Sequence, residues 1–249
     1  MSSSQARLAL LIDIFDRASQ PAQVLPKIKP PQLVEAIIQE FREIEYLADD
    51  PAQYYLARAD DETPLDDGVE LGRQRLASGA HLLLRERTVA APEGTQPFRQ
   101  RVYLREQSLG KVYRLAWQPA IIGRRAESQA PGEAQQIAVD LHPFPTGLRV
   151  SRRHLSISES DGNLVVENLS HNPVFIQRAD GAQIPIQAAK TSLLVDDIIF
   201  LERSQIALKV LLRSEAEHGA QGDLPVADAS DAAIIGSQPE TDAGVGEGS

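Results

Sequence analysis

The sequence predicts a multi-domain chain: an α+β domain over residues 1–90, a linker over 91–97, an all-β sandwich over 98–213 and a disordered acidic tail over 214–249. Three observations carry this division. A length of 249 residues suits two domains of ordinary size. The hydrophobic pattern changes from mixed strand and helix spacing to many short strand-like runs after Ala90-Ala91-Pro92-Glu93-Gly94-Thr95-Gln96-Pro97, whose small residues, prolines and glycine mark a linker. The charge is also partitioned. The total is −10, yet residues 1–96 carry −6, residues 97–213 carry +4 and residues 214–249 carry −8 with no Lys or Arg. An anionic ligand is therefore expected on the middle segment.

The first domain reads as strand, strand, helix, strand, strand. Leu8 to Phe15 is an apolar run suited to a buried strand, and Ala22 to Ile28 is its expected hairpin partner after a Ser-Gln-Pro turn. Pro30-Pro31 introduces Leu33, Val34, Ile37, Ile38 and Phe41, a helical stripe with proline where the first turn tolerates it. Tyr54 to Arg58 and Ala80 to Arg85 supply the remaining strands. This is the order of a β-grasp. Pro64-Leu65-Asp66, Leu71, Leu76, Gly79 and His81-Leu82-Leu83 resemble the second half of small bacterial ubiquitin-like domains associated with type VII secretion. The resemblance implies a protein-docking domain. No processed di-glycine ends the segment, so a conjugated modifier is not expected.

For the second domain, strands are predicted at 101–106, 112–117, 120–124, 137–141, 154–160, 163–169, 174–178, 182–187, 191–195, 198–202 and 205–212. Short strands with frequent turn signals indicate a sandwich. Asp161-Gly162 and Asp180-Gly181 sit between apolar runs, where that dipeptide favours a tight hairpin. From Ser214 onward the composition is too polar to offset the entropy of ordering.

Several function classes are excluded or disfavoured. Without cysteine there are no disulfides or thiolate metal sites, and His81, His142, His154, His171 and His218 make no pair at metal-ligand spacing. No phosphate-cradling glycine loop and no G-x-S-x-G turn is present, so neither an enzyme nor a cofactor is expected. Nucleic acid would be repelled by both acidic flanks. No run approaches the ~18 apolar residues that span a bilayer, and Leu8 to Phe15 reads as a strand rather than a signal peptide. A cytoplasmic location without direct membrane insertion is the expectation.

The residues that carry chemistry lie at strand ends. Gly123-Arg124 ends the run Ala120-Ile121-Ile122, Ser151-Arg152-Arg153-His154 opens Leu155-Ser156-Ile157, and Asn172 lies between two strands. A sandwich can gather all three at one rim. Arg124 offers a planar fork of donors, Ser151 a hydroxyl proton and Arg152 a second positive charge. Asn172 holds a donor and an acceptor together, suited to a peptide backbone. The order Gly-Arg, Ser-x-x-His and Asn before the Phe175 strand resembles the forkhead-associated (FHA) domain signature, and Ile137 to Leu141 before Val150 to His154 strengthens it.

The resemblance implies a rim that binds phosphothreonine peptides, with Gly123 and His154 supporting the loops and Arg124, Ser151, Arg152, His171 and Asn172 meeting the ligand. Pro173 and Val174 stand where the family usually has Gly and Thr, and His171 where Ser or Thr is common. Charge-assisted contacts of roughly 1.5–3 kcal/mol each, less the ordering of a peptide, imply micromolar binding at best. The implied function is a phosphothreonine-binding adaptor downstream of a bacterial serine/threonine kinase, with a phosphothreonine-containing protein as partner and a secretion apparatus as a candidate setting. The alternative is a scaffold that docks through both domains without binding phosphate. Thr241, in Pro239-Glu240-Thr241-Asp242, is a candidate phosphoacceptor. It lies 28 residues beyond Arg213, a distance a flexible chain spans at roughly 29 Å.

Overall fold

A computed structural model describes residues 7–125, 137–186 and 189–213. The expected tail, Thr241 and residues 126–136 lie outside the described residues. The chain divides into two compact units. Of the described residues, the first unit holds 7–41 and 50–87, and the second holds 42–49, 88–125, 137–186 and 189–213.

The first unit is a four-stranded mixed sheet with one helix. β1 (Leu8–Ile14) and β2 (Arg17–Val24) form an antiparallel hairpin, α1 (Pro30–Glu40) follows, and β3 (Tyr54–Arg58) and β4 (Ala80–Glu86) complete the sheet. The order is β2-β1-β4-β3, with β1 and β4 parallel at the centre. α1 buries Leu33, Val34 and Ile37, the first three members of the predicted stripe, while Ile38 is half-buried. Leu10, Ile12, Leu56, Leu82 and Leu84 supply the core from the strands.

The hairpin differs from expectation. β2 begins at Arg17, so the turn falls at Phe15-Asp16, where Phe15 takes a φ of 59°. The expected Ser-Gln-Pro turn lies inside the strand instead, with Pro21 opposite Leu11. β2 is an edge strand, where a missing backbone donor is tolerated. Asp13 holds this hairpin: its Oδ1 accepts from the Ser19 N–H at 2.6 Å and lies 2.7 Å from His81 Nε2.

The second unit contains all eleven predicted strands. They are β5 (Arg101–Glu106), β6 (Val112–Leu115), β7 (Ala120–Gly123), β8 (Ile137–Asp140), β9 (Leu155–Ser160), β10 (Asn163–Asn168), β11 (Val174–Gln177), β12 (Gln183–Pro185), β13 (Thr191–Ser192), β14 (Ile198–Leu201) and β15 (Ile206–Arg213). One sheet has the order β13-β10-β9-β7-β8 and the other β12-β11-β14-β15-β5-β6. Between them lies an aliphatic core that includes Val102, Leu104, Ile122, Val139, Leu155, Ile157, Val166, Ile176, Ile199, Leu208 and Val210. Alternate residues of strands such as β5, β9 and β15 supply it, as a sandwich requires. Asp161 (φ 52°) and Gly162 (φ 80°) form the β9–β10 turn with the paired positive φ values that a two-residue hairpin needs.

Two features of this unit escape the sequence reading. The expected linker is held: Gln96 and Gln118 exchange backbone hydrogen bonds of 3.1 and 2.7 Å. The unit also includes Arg42–Asp49, which lies upstream of the expected domain boundary. Its Tyr46 ring centroid is 5.7 Å from that of Tyr103, and its Glu45 accepts from Lys209 Nζ at 2.8 Å. Lys209 also pairs with Asp196 at 3.0 Å, and the hydrogen bond to Glu45 is the main cause that raises its pKa above the usual value. A fragment of residues 98–213 alone would lack this segment.

Candidate functional site

Three strand ends meet at one rim of the sandwich. Gly123 is the last residue of β7, and the backbone of Ser151-Arg152 crosses directly over it. A Cβ at position 123 would stand 2.1 Å from the Arg152 carbonyl oxygen and 3.0 Å from that of Ser151. Only glycine permits this approach. Across the contact, the Arg124 N–H donates to the Ser151 carbonyl at 3.0 Å, and the Leu141 N–H donates to the Gly123 carbonyl at 2.8 Å. Three segments are thereby clamped together: the end of β7, the loop after β8 and the loop before β9.

Arg124 is half-buried and its Nε donates to the Val150 carbonyl at 3.1 Å. That bond fixes the guanidinium plane. Its two η nitrogens have no partner among the described residues. A fixed plane with two unused donors is the geometry for bidentate contact with a phosphate.

Asn172 reaches the same place from the loop between β10 and β11. Its Nδ2 donates to Ser151 Oγ at 3.2 Å. With that oxygen accepting, the Ser151 hydroxyl proton points elsewhere and is available to an anion. The rest of the Asn172 carboxamide keeps one donor hydrogen and its carbonyl oxygen for a peptide backbone. Arg124, Ser151 and Asn172 therefore converge. Arg152 and His171 are exposed beside them, and neither makes a side-chain hydrogen bond or ion pair among the described residues.

Residues 151–154 form a loop rather than the opening of a strand, and β9 begins at Leu155. The loop curls so that His154 Nδ1 accepts from the Ser151 N–H at 3.1 Å. The imidazole thus faces the Ser151 main chain. On an extended strand these two positions would point to opposite faces, and the curl of the loop brings them together. The bond joins the ring to an amide, however, and the hydroxyl is engaged by Asn172, so the pair lacks the contact of a nucleophile with its base.

His154 is 1% exposed, and burial lowers its pKa to about 4. The neutral ring is the form that can accept from Ser151. Because the folded value lies below the ordinary 6.5, the stabilisation is complete above pH 6.5 and is lost as pH falls toward 4. The full effect is about 3 kcal/mol. Urea unfolding at neutral pH and near pH 4.5 should show a larger loss of stability for the native chain than for His154→Gln. Equal losses would contradict this role.

Three positioning residues, Asn168, Ser170 and Asp140, were missed from sequence. Asn168 Nδ2 donates to the Asn172 carbonyl at 2.9 Å, and its Oδ1 accepts from the Ser170 N–H and hydroxyl at 3.0 and 2.9 Å. Ser170 Oγ in turn accepts from the Asn172 N–H at 3.1 Å. Asp140 Oδ1 accepts from the Arg125 and His142 N–H groups, each at 2.9 Å. The signal was the Asx-turn spacing in Asn168-x-Ser170 and Asp140-x-His142. Among the described residues no His, Asp and Glu group could hold a metal, and no helix is long and apolar enough to cross a membrane.

No protein-family model matches the chain, and no curated protein matches it. Solved FHA domains do. The FHA domain of human APLF, in complex with an XRCC1 bisphospho peptide, is 23% identical; the match covers 45% of this chain and 97% of that one, with a TM-score of 0.33. An FHA domain from a study of phosphothreonine-dependent FHA interactions is 24% identical, with 46% and 98% covered and a TM-score of 0.33. The FhaA FHA domain, complexed with the intracellular domain of Rv3910, is 25% identical, with 44% and 98% covered and a TM-score of 0.31. The chain is thus similar to solved FHA domains over just under half its length.

Proposed function

We propose that residues 98–213 are an FHA-type module that binds phosphothreonine on a partner protein, and that the chain is an adaptor rather than an enzyme. The observation that carries this is the convergence of Arg124, Ser151 and Asn172. A fixed guanidinium with two unused donors, a hydroxyl with a free proton and a carboxamide suited to a peptide backbone lie on one rim. A phosphothreonine brings about −1.5 to −2 charges and three strong acceptor oxygens. Arg152 and His171, exposed on the flanking loops, complete the site, while Gly123 and His154 shape it.

The rest of the function follows by analogy. The upstream writer is a serine/threonine kinase, the setting is the cytoplasm, and the first unit is a ubiquitin-like docking domain of the kind associated with type VII secretion. The central parallel β1–β4 pair with its crossover helix supports that fold assignment. Nuclear magnetic resonance of the full chain titrated with a degenerate phosphothreonine peptide library tests where ligand sits. Amide shifts are expected at Arg124, Ser151, Arg152, His171 and Asn172. Shifts confined to the first unit would overturn the assignment and favour a scaffold.

A further inference from the structure

Away from the rim, the outer face of the six-stranded sheet buries side chains that should meet water. Val102 and Leu104 of β5 and Leu208 and Val210 of β15 face the core. Arg101, Tyr103 and Arg105 therefore point outward, with their cross-strand partners Arg213, Leu211 and Lys209. Arg114 of β6 stands opposite Tyr103 on the same face. Yet Tyr103 is 1% exposed and Leu211 5%. Residues 42–49 cover the tyrosine. The Tyr46 ring centroid is 5.7 Å from that of Tyr103. The Arg213 guanidinium lies 5.7 Å from the centre of the Tyr46 ring and 5.6 Å from that of Tyr103.

The fit is also electrostatic. The face carries Arg101, Arg105, Arg114, Lys209 and Arg213, and the covering segment brings Glu43, Glu45 and Asp49 against Arg42. Glu45 accepts from Lys209 Nζ through both oxygens, at 2.9 and 2.8 Å. The segment has turn structure and joins no sheet. β15 and β5 are interior strands without a free backbone edge, so what this face offers a ligand is side chains. The Glu45 side chain is 47% exposed. An ion pair so open to water is weak and screened by salt, and a cover held in this way can be displaced by a segment of the same chemistry.

We propose that the outer face of β15, β5 and β6 is a docking surface for an acidic, tyrosine-bearing segment of a partner protein, and that Arg42–Asp49 occupies it as an internal stand-in. Charge complementarity and the ring seated against Tyr103 and Arg213 define the partner's chemistry: carboxylates on either side of one aromatic side chain. The surface does not depend on the phosphothreonine reading, because none of its residues belongs to the rim.

The test titrates the full chain into a capped, dye-labelled synthetic peptide with the sequence of residues 42–49, read by fluorescence anisotropy. The native chain, whose own segment competes at an effective concentration on the order of millimolar, is compared with the chain carrying both Glu45→Gln and Tyr46→Ala. The double variant is expected to bind the peptide about tenfold more tightly at low salt, the combined worth of an exposed ion pair and a ring contact. That binding should weaken markedly at about 0.5 M salt through screening. Adding Lys209→Gln to the double variant should remove about twofold to fivefold of the affinity. A folded double variant that binds no better than the native chain would overturn the surface. Binding indifferent to Lys209→Gln would place the peptide elsewhere and equally overturn it. If the double variant does not fold, Glu45→Gln alone makes the same comparison, with an expected gain of about twofold to fivefold. No gain in that variant would overturn the surface as well. Each of these results leaves the phosphothreonine site standing.

Discussion

Replacing Arg124 by alanine is expected to weaken phosphothreonine-peptide binding by roughly tenfold to a hundredfold, the equivalent of a charge-assisted, bidentate contact. The side chain is fixed through Nε to the Val150 carbonyl, so its two η nitrogens are presented without rearrangement. The same bond means that the substitution also frees a carbonyl in the loop, at a stability cost of about 1 kcal/mol. Arg124→Lys separates the two contributions. It keeps the positive charge but loses the planar fork, so its affinity should fall between the native and alanine chains. Calorimetric titration with thermal unfolding of the three proteins checks this. Equal affinities in all three would show that the phosphate does not meet Arg124.

Gly123→Ala should be at least as damaging, though position 123 offers no side chain to a ligand. The added Cβ would meet the Arg152 carbonyl oxygen at 2.1 Å and its carbon at 2.8 Å. Both obstacles are backbone, so rotamer change cannot relieve the clash. The Ser151-Arg152 loop must lift, breaking the Arg124 N–H bond to the Ser151 carbonyl and pulling Ser151 Oγ away from Asn172. A stability loss of about 1–3 kcal/mol is expected from the overpacking. Peptide affinity should also fall at least as far as in Arg124→Ala, under conditions where the variant remains folded. A folded variant with native affinity would show that the loop position is irrelevant to binding.

Much of this arrangement was legible in the sequence, for identifiable reasons. The strands of the second unit are short apolar-rich runs between turn signals, so all eleven could be placed, with no end off by more than three residues. Arg124, Ser151 and Asn172 stood out because each follows or precedes an apolar run, where a strand end becomes a rim. What sequence could not give depends on contacts between distant segments. Pro21 looked like a turn residue because nothing local marks β2 as an edge strand. Arg42–Asp49 looked like part of the first domain because its place in the second unit depends on contacts such as Tyr46 with Tyr103 and Glu45 with Lys209. The curl of Ser151 to His154 depends on a ring-to-amide bond that no periodicity records.

Whether this rim recognises phosphorylated threonine is decided by one calorimetric titration of the full chain. A degenerate phosphothreonine library is compared with its unphosphorylated counterpart. The arrangement of Arg124, Ser151 and Asn172 calls for roughly micromolar affinity for the phosphorylated library, with no measurable heat from the other. Equal binding of both, or no binding of either by well-folded protein, would contradict the claim.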